Sequence, residues 1–281
     1  MTAAVPYVGR LAPSPTGFLH VGHAATFWTA FVRAERAAGT LLFRNDDLDP
    51  QRRRAEFVDA MLEDLAWLGL AWTAPMVTQS ERMPLYRAAM EELVARGLAY
   101  RCTCSRRELQ QMTQAPHEES DDEPVYTGHC RPAQMSEGAG VLVPGMNYRM
   151  RVPQAEAVTF VDGHFGPQSY QGGCATTASF GDFLVWRRDG LPSYQLACVV
   201  DDAAMGITEV VRGGDLLKST ARQIVLQRAL RLPTPHYFHT ELVRDEAGVR
   251  LAKRHEGLSI RTLRNSGRSP HEVVSMFASV L

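Results

Sequence analysis

The first hundred residues alternate between short apolar segments, which predict strands, and longer periodic segments, which predict helices. YVGRLAP and TLLFRNDD are typical of strands, and helix patterns follow them over residues 21–38 and from residue 57 onward. A third helix pattern runs from Pro84 to Arg96, with apolar residues at helical spacing. Strands and helices that alternate with short connections predict a parallel sheet in an α/β fold.

This alternation stops near residue 100 and resumes near residue 180. The interval holds clustered cysteines, the acidic stretch HEESDDEP and many glycines, so we predict an inserted subdomain there. The strand ITEVVR and a helix from Lys218 to Leu230 then continue the α/β pattern. The sequence therefore predicts a first half of the α/β domain (1–99), an inserted subdomain (100–180), a second half (181–240) and a short C-terminal helical segment (241–281).

Composition limits the classes of protein that this chain can belong to. Its 281 residues are 45% hydrophobic and 22% charged, with a net charge of −1, which is typical of a soluble globular protein and excludes a strong overall positive field. The N-terminus lacks the pattern of a secretion signal, and no apolar run is long enough to span a membrane. The five cysteines then favour thiols or a metal site over disulfides. We expect a cytoplasmic protein, and a monomer by default.

The segment LAPSPTGFLHVGH, residues 11–23, joins the first predicted strand to the first predicted helix. Backbone N–H groups at such a junction bind anions, and nucleotides bind there in doubly wound sheets. His20 and His23 would lie on one side of the first helical turn, and Gly22 between them lets a ligand approach the backbone. The pattern is compatible with two phosphate-binding imidazoles or with two surface residues near a helix cap.

The surrounding residues resemble the class I aminoacyl-tRNA synthetases, in their glutamyl and glutaminyl branch. APSPTGFLHVGH is similar to that branch's first signature, LLFRNDDLD to its RIEDTD segment, and VRLAKRHEG to its lysine-containing loop. PSYQLACVVDDAAMGITEVVRGGDLLKSTARQ is similar to its second-half strands and helix. The resemblance implies a Rossmann-like doubly wound parallel sheet with an inserted, zinc-bearing subdomain.

The resemblance also implies residue roles in forming an aminoacyl adenylate from glutamate and ATP. His20, Gly22, His23 and Lys253 match the ATP-binding residues, with His20, His23 and Lys253 catalytic and Mg²⁺ bound with ATP. Arg10, Ser14, Asp46, Tyr194 and Arg212 match the glutamate-binding residues. An arginine pairs bidentately with a carboxylate, so we favour glutamate over glutamine. The chain departs from the family at Asp46, where glutamate is usual, at Cys198, and at Arg250 and Ala252 in the lysine loop.

Cys102, Cys104 and Cys130 form a candidate metal site in the predicted insertion. Three thiolates and one further ligand form a closed structural zinc site. Chemistry alone favours His129 as the fourth ligand, because imidazole is a far commoner zinc ligand than phenolate. The resemblance points instead to Tyr126, and we therefore predict a site of Cys102, Cys104, Tyr126 and Cys130, with His129 as the alternative.

Only 24 residues follow AKRHEG, too few for the anticodon-binding domains of a full glutamyl-tRNA synthetase. The chain thus resembles the short glutamyl-Q tRNA(Asp) synthetases, which attach glutamate to queuosine at the wobble position of tRNA(Asp). The resemblance implies ATP, L-glutamate and the queuosine-containing anticodon stem-loop as partners. The alternatives are a truncated synthetase that charges the 3′ end of tRNA(Glu), and a binding module with reduced catalysis.

Overall fold

The computed structural model describes residues 5–104, 125–134, 140–173, 179–243 and 259–277. In the first half, strands and helices alternate as the sequence predicts. The elements are β1 (Val8–Leu11), α1 (Val21–Arg36), β2 (Thr40–Asn45), α2 (Ala55–Trp67), β3 (Val77–Thr78) and α3 (Met83–Ala95). A short 3-10 helix, Gln79–Arg82, leads into α3.

The second half and the predicted insertion contain more strands than helices. The elements are β4 (Ala99–Cys102), β5 (Asn147–Met150), β6 (Ala157–Asp162), β7 (Gly166–Gln171), β8 (Leu184–Trp186), α4 (Tyr194–Ala204), β9 (Glu209–Gly213), α5 (Leu217–Leu230), β10 (His236–Thr240), α6 (Ile260–Asn265) and α7 (Pro270–Ser275). Another 3-10 helix, Gly214–Leu216, joins β9 to α5.

The sheets are mixed. Strands β1, β2 and β3 pair in parallel in that order, and β10 pairs in parallel with both β6 and β9. Strand β7 pairs antiparallel with β6, and β4, β5 and β8 form an antiparallel sheet. The two halves meet at the start of β1, where the Thr208 N–H donates to the Val8 carbonyl at 2.9 Å. Strand β9 therefore lies beside β1, and the predicted insertion shares a sheet with the second half through β6.

Helix α1 connects β1 to β2 across this sheet. It ends at Arg36, and Ala38 then adopts a φ of 47° in the turn back to β2. The next residue, Gly39, is confined by Tyr7, because a Cβ at this position would lie 2.7 Å from the Tyr7 carbonyl oxygen. A glycine is required here by close backbone approach rather than by a positive φ.

The C-terminal helices pack against the first half of the sheet. Ile260 and Val273 are fully buried in an apolar core that also contains Leu11 of β1 and Leu65 of α2. Each fully buried aliphatic side chain contributes about 1.5–3 kcal/mol. The backbone N–H of Ile260 also donates to the Leu19 carbonyl at 2.7 Å, which fixes the start of α6 beside the start of α1.

Asp64 of α2 is a buried carboxylate at the contact with α6. Neither of its oxygens has a hydrogen-bond partner, and its nearest cation among the described residues is the Arg264 guanidinium at 3.6 Å. Burial raises the pKa of Asp64 to about 6, against the opposing effect of the Arg264 charge. The folded chain therefore binds a proton at Asp64 over a pH range in which the unfolded chain does not.

This difference predicts a pH-dependent effect of Asp64→Asn. Stability due to Asp64 is present below its unfolded pKa of about 4 and falls as the pH rises through about 6. We expect the free energy of unfolding of D64N, relative to that of the unsubstituted chain, to increase by about 2 kcal/mol between about pH 4 and about pH 7.5. Urea unfolding at the two pH values measures this difference. The neighbouring Glu63→Gln, at an exposed carboxylate that also pairs with Arg264, is the matched control and should show no such trend.

Candidate functional site

A cavity of about 620 Å³ lies at the carboxyl ends of β1, β2 and β9, against the start of α1. Ligands of open α/β sheets bind at this edge. The cavity brings together all of the ATP-site and glutamate-site residues predicted from the sequence that lie in the described part of the chain. They are Arg10, Ser14, His20, Gly22, His23, Asp46, Tyr194 and Arg212.

His20 and His23 form the start of α1 through a reciprocal capping box. The His20 Nδ1 accepts the His23 backbone N–H at 3.3 Å, and the His23 Nδ1 accepts the His20 N–H at 3.4 Å. The rings stack with their centroids 3.7 Å apart. Gly22 accommodates this stack, because a Cβ there would lie 3.0 Å from the His20 ring. Each Nδ1 accepts a hydrogen bond, so each neutral ring carries its own proton on Nε2, beside the helix N-terminus.

Arg212, on β9, is buried and held by neutral groups. Its Nε donates to His239 Nε2 at 3.1 Å, and its Nη2 donates to the Thr220 hydroxyl at 2.7 Å. Its Nη1 donates to Gln223 Oε1 at 2.8 Å and lies 3.4 Å from the Tyr194 hydroxyl. Within the described ranges, no carboxylate forms an ion pair with this guanidinium. A buried cation without an anion is costly, so the site favours a negatively charged ligand.

Arg10 and Asp46 are linked through a fully buried arginine, Arg44. The Arg44 Nε and Nη2 donate to the two oxygens of Asp46 at 2.6 and 3.2 Å, and its Nη1 donates to Asp202 at 2.6 Å. Arg10 donates to the Val211 carbonyl at 2.9 Å and pairs with Asp202 at 3.4 Å. Burial raises the pKa of Asp46 despite the opposing Arg44 charge. Both oxygens of Asp46 are thus already engaged before any ligand ammonium arrives.

Sequence reasoning did not identify Arg44 as part of the site. A signal was present, because Arg44 interrupts the apolar strand TLLFRN and an arginine is rarely buried without a partner. The sequence analysis also did not name Asp215 and Glu241, which line the same cavity. Asp215 directly follows the glycine pair Gly213 and Gly214, in the connection between β9 and α5, where residues commonly form part of a site.

Lys253 lies outside the described residues. The nearest described residues on either side of it are Val243 and Ser259. Val243 lines the cavity, and Ser259 forms an isolated antiparallel bridge with His20. The described residues on either side of Lys253 therefore lie at the cavity or beside a residue that lines it.

The predicted metal ligands lie together beside β4. The three sulfur atoms of Cys102, Cys104 and Cys130 are all within 4.8 Å of one another. The Tyr126 hydroxyl lies 3.7 Å from Cys102 Sγ and 3.6 Å from Cys104 Sγ, and it accepts the Cys130 N–H at 2.8 Å. His129 is exposed and does not belong to this cluster.

This donor set fits zinc. Bonds of about 2.3 Å from zinc to sulfur place two tetrahedral thiolates about 3.8 Å apart, and the Cys104 and Cys130 sulfur atoms are 3.5 Å apart. The buried Arg149 donates to Cys102 Sγ at 3.4 Å, and its guanidinium lies 4.1 Å from the Tyr126 ring centroid. A cation at this position offsets the excess negative charge of three thiolates around a divalent ion.

No helix in the described part of the chain has the length and apolar character needed to cross a membrane.

Comparisons with known proteins agree with this architecture. The catalytic-domain family of class I tRNA synthetases (E and Q) matches residues 7–280. A protein of Symbiobacterium thermophilum named glutamyl-Q tRNA(Asp) synthetase is 42% identical over 96% of this chain and 85% of its own length. One of the same name from Rhodobacter capsulatus is 41% identical over 95% of this chain and 98% of its own length.

Among solved structures, a glutamate tRNA ligase from Elizabethkingia meningosepticum, in complex with its amino acid, matches with a TM-score of 0.71 and 25% identity. The match covers 94% of this chain and 54% of that protein, so the chain spans about half the length of this ligase. The fold is that of the class I synthetases, and the family is one of ATP-dependent ligases. The chain belongs to the class I tRNA synthetases of the glutamate and glutamine branch.

Proposed function

We propose that this chain activates L-glutamate with ATP, without tRNA, and transfers the glutamate to the queuosine base of tRNA(Asp). In the first step an α-carboxylate oxygen of glutamate attacks the α-phosphorus of ATP, and pyrophosphate leaves. Catalysis of such a step rests mainly on positioning and on charge neutralisation. The cavity at the edge of the sheet contains side chains that can position the substrates and side chains that can neutralise their charge.

The observation that carries the glutamate assignment is the unneutralised charge of Arg212. The side-chain carboxylate of glutamate supplies the missing anion, whereas the neutral amide of glutamine leaves the guanidinium without a counter-charge. Arg10 is the second cation on this side, and the hydroxyls of Ser14 and Tyr194 are further contacts. Asp46 receives the ammonium group through the oxygen lone pairs that Arg44 does not occupy.

ATP binds at the start of α1. The Nε2–H donors of His20 and His23 contact the phosphate oxygens there, and the absence of a side chain at Gly22 lets the nucleotide approach the backbone. Lys253 neutralises charge on the departing pyrophosphate, and Mg²⁺ bound with ATP offsets further phosphate charge. Each of these groups binds developing negative charge rather than transferring a proton.

Replacement of Arg212 tests the glutamate site. We expect Arg212→Gln to lower kcat/KM for glutamate by about 100-fold or more, because a neutral side chain cannot pair with the carboxylate. Glutamate-dependent exchange of pyrophosphate into ATP measures this value without tRNA. Arg36→Gln removes an exposed arginine at the end of α1, outside the cavity, and is the control. Equal kcat/KM values for R212Q and the unsubstituted chain would contradict the assignment.

The proposed acceptor rests on the names of the relatives, since two that match more than nine tenths of this chain are glutamyl-Q tRNA(Asp) synthetases. The matched glutamate tRNA ligase structure supports a second candidate, the 3′ end of tRNA(Glu). Arg187 and Arg188, in the turn after β8, and Arg228 of α5 are candidate phosphate contacts.

Transfer of labelled glutamate distinguishes the two acceptors. We expect label on tRNA(Asp) from cells that make queuosine and none on tRNA(Asp) from cells that lack it, because the base supplies the accepting hydroxyl. The linkage should survive removal of the 3′-terminal adenosine. Label on tRNA(Glu) that disappears with that adenosine would establish charging at the 3′ end instead.

We also propose a structural zinc ion bound by Cys102, Cys104, Tyr126 and Cys130. Four ligands leave no open position for chemistry. The ion would join the end of β4 to residues 126–130, a region whose own apolar cluster contains few side chains. Tyr126 is favoured over His129 because its hydroxyl already lies among the sulfur atoms.

Metal analysis tests this site in protein purified without added zinc. We expect about one zinc ion per chain, and a loss of most of it in Cys104→Ser, because three ligands hold the ion more weakly than four. Cys198→Ser, at a buried cysteine outside the cluster, should retain the metal. Zinc-free unsubstituted protein would overturn the proposal, and a full complement in Tyr126→Phe would exclude Tyr126 as the fourth ligand.

A further inference from the structure

We propose that Asp162 and His239 orient Arg212 for the substrate carboxylate, with His239 as a positioning residue that never touches the substrate. This inference rests on the proposed function, in which Arg212 binds the side chain of glutamate. Neither residue lines the cavity, and both act through the guanidinium. Asp162 comes from β6, in the predicted insertion, and His239 comes from β10.

Backbone hydrogen bonds hold the Asp162 side chain in one position. Its side chain is fully buried, and its Oδ1 accepts the backbone N–H groups of His164 and Phe165 at 3.0 and 2.9 Å. Its Oδ2 lies 3.2 Å from the His239 backbone nitrogen, which donates to it. Burial raises the pKa of Asp162, but the hydrogen bond with the His239 side chain and those from the Phe165 and His164 backbone outweigh burial and lower the pKa. The carboxylate is therefore a charged acceptor whose position is set by the turn between β6 and β7.

The carboxylate determines which nitrogen of His239 carries the proton. His239 Nδ1 lies 2.6 Å from Asp162 Oδ2, and both side chains are fully buried. An ionised carboxylate can only accept, so Nδ1 is the donor and Nε2 presents a lone pair. That lone pair accepts the Arg212 Nε–H at 3.1 Å. Burial and the Arg212 charge lower the pKa of His239 to about 4, so the ring is neutral at physiological pH.

His239 and Thr220 together occupy one side of the guanidinium. Thr220 accepts from Arg212 Nη2 at 2.7 Å, and its hydroxyl lies 3.2 Å from His239 Nε2. The Nε and Nη2 protons on one side of an arginine point in the same direction. Nη1 already donates to Gln223 and makes a longer contact with the Tyr194 hydroxyl. A carboxylate at the end of the guanidinium therefore pairs with Nη2, and with Nη1 in place of the Tyr194 contact, which fixes the direction in which the substrate must lie.

A neutral imidazole suits this role better than a carboxylate. A carboxylate on Nε would orient Arg212 equally well, but it would also neutralise the charge that the substrate needs. The imidazole of His239 accepts the hydrogen bond from Arg212 Nε. It also separates the negative charge of Asp162 from the guanidinium by the width of one ring. The arrangement therefore combines a fixed orientation with an available charge, as preorganised binding requires.

Two variants of His239 separate positioning from folding. His239→Leu removes the acceptor at similar volume, and we expect KM for glutamate in pyrophosphate exchange to rise about tenfold, while KM for ATP and kcat change less than about threefold. His239→Gln places an amide oxygen near the position of Nε2 and should restore most of the glutamate affinity. His236→Leu, at the exposed start of β10, is the control and should leave both KM values unchanged.

The outcomes distinguish this inference from the proposed function. Impaired glutamate binding in Arg212→Gln together with an unchanged KM in His239→Leu would overturn the positioning role alone. No effect of either variant would overturn both proposals. A parallel rise of both KM values in His239→Leu, or a loss of kcat alone, would show a general structural role and contradict the inference. Nitrogen-15 NMR of the unsubstituted chain tests the tautomer without any variant, and a protonated Nε2 at neutral pH would also overturn it.

Discussion

The buried charges at the carboxyl edge of the sheet determine how this site is built. Arg10 and Arg44 share Asp202, and Arg44 also pairs with Asp46. Asp201 pairs with Arg82 and lies 3.8 Å from Arg44. Each of these charges has an opposite partner, which is the condition under which charges are tolerated in a protein interior. Arg212 has only neutral partners among the described residues. Because this cation lacks a direct carboxylate partner among those residues, we propose that a carboxylate of the ligand pairs with it.

The start of α1 lies at the end of the cavity where we propose that the ATP phosphates bind. The two histidines cap the helix with their Nδ1 atoms, so the contacts that begin the helix also determine that each neutral ring carries its proton on Nε2. In the proposed function, the geometry that begins the helix also presents the Nε2–H groups to the phosphates. The bridge between His20 and Ser259 joins the start of the C-terminal helices to the start of α1.

Much of this could be predicted from the sequence, because periodicity reports local structure. The helix patterns at residues 21–38 and 84–96 correspond to α1 and α3 within a few residues. The resemblance named eight residues that the structure places in one cavity, although their roles stay predictions. The pairing of strands that are distant in the sequence has no comparable local pattern. Strand β6 lies in the segment predicted as an insertion, yet it pairs with β10 about 75 residues later. The pairing that brings Asp162 to His239 therefore had no local pattern.

The central claim is that Arg212 binds the side-chain carboxylate while His20 and His23 face the reacting phosphate. A crystal structure with a non-hydrolysable analogue of glutamyl adenylate tests both ends of this claim at once. We expect both carboxylate oxygens within hydrogen-bond distance of Arg212 Nη1 and Nη2, with the phosphate mimic beside the two Nε2 atoms. An analogue bound with its side chain away from Arg212, or with its phosphate mimic away from the start of α1, would contradict it.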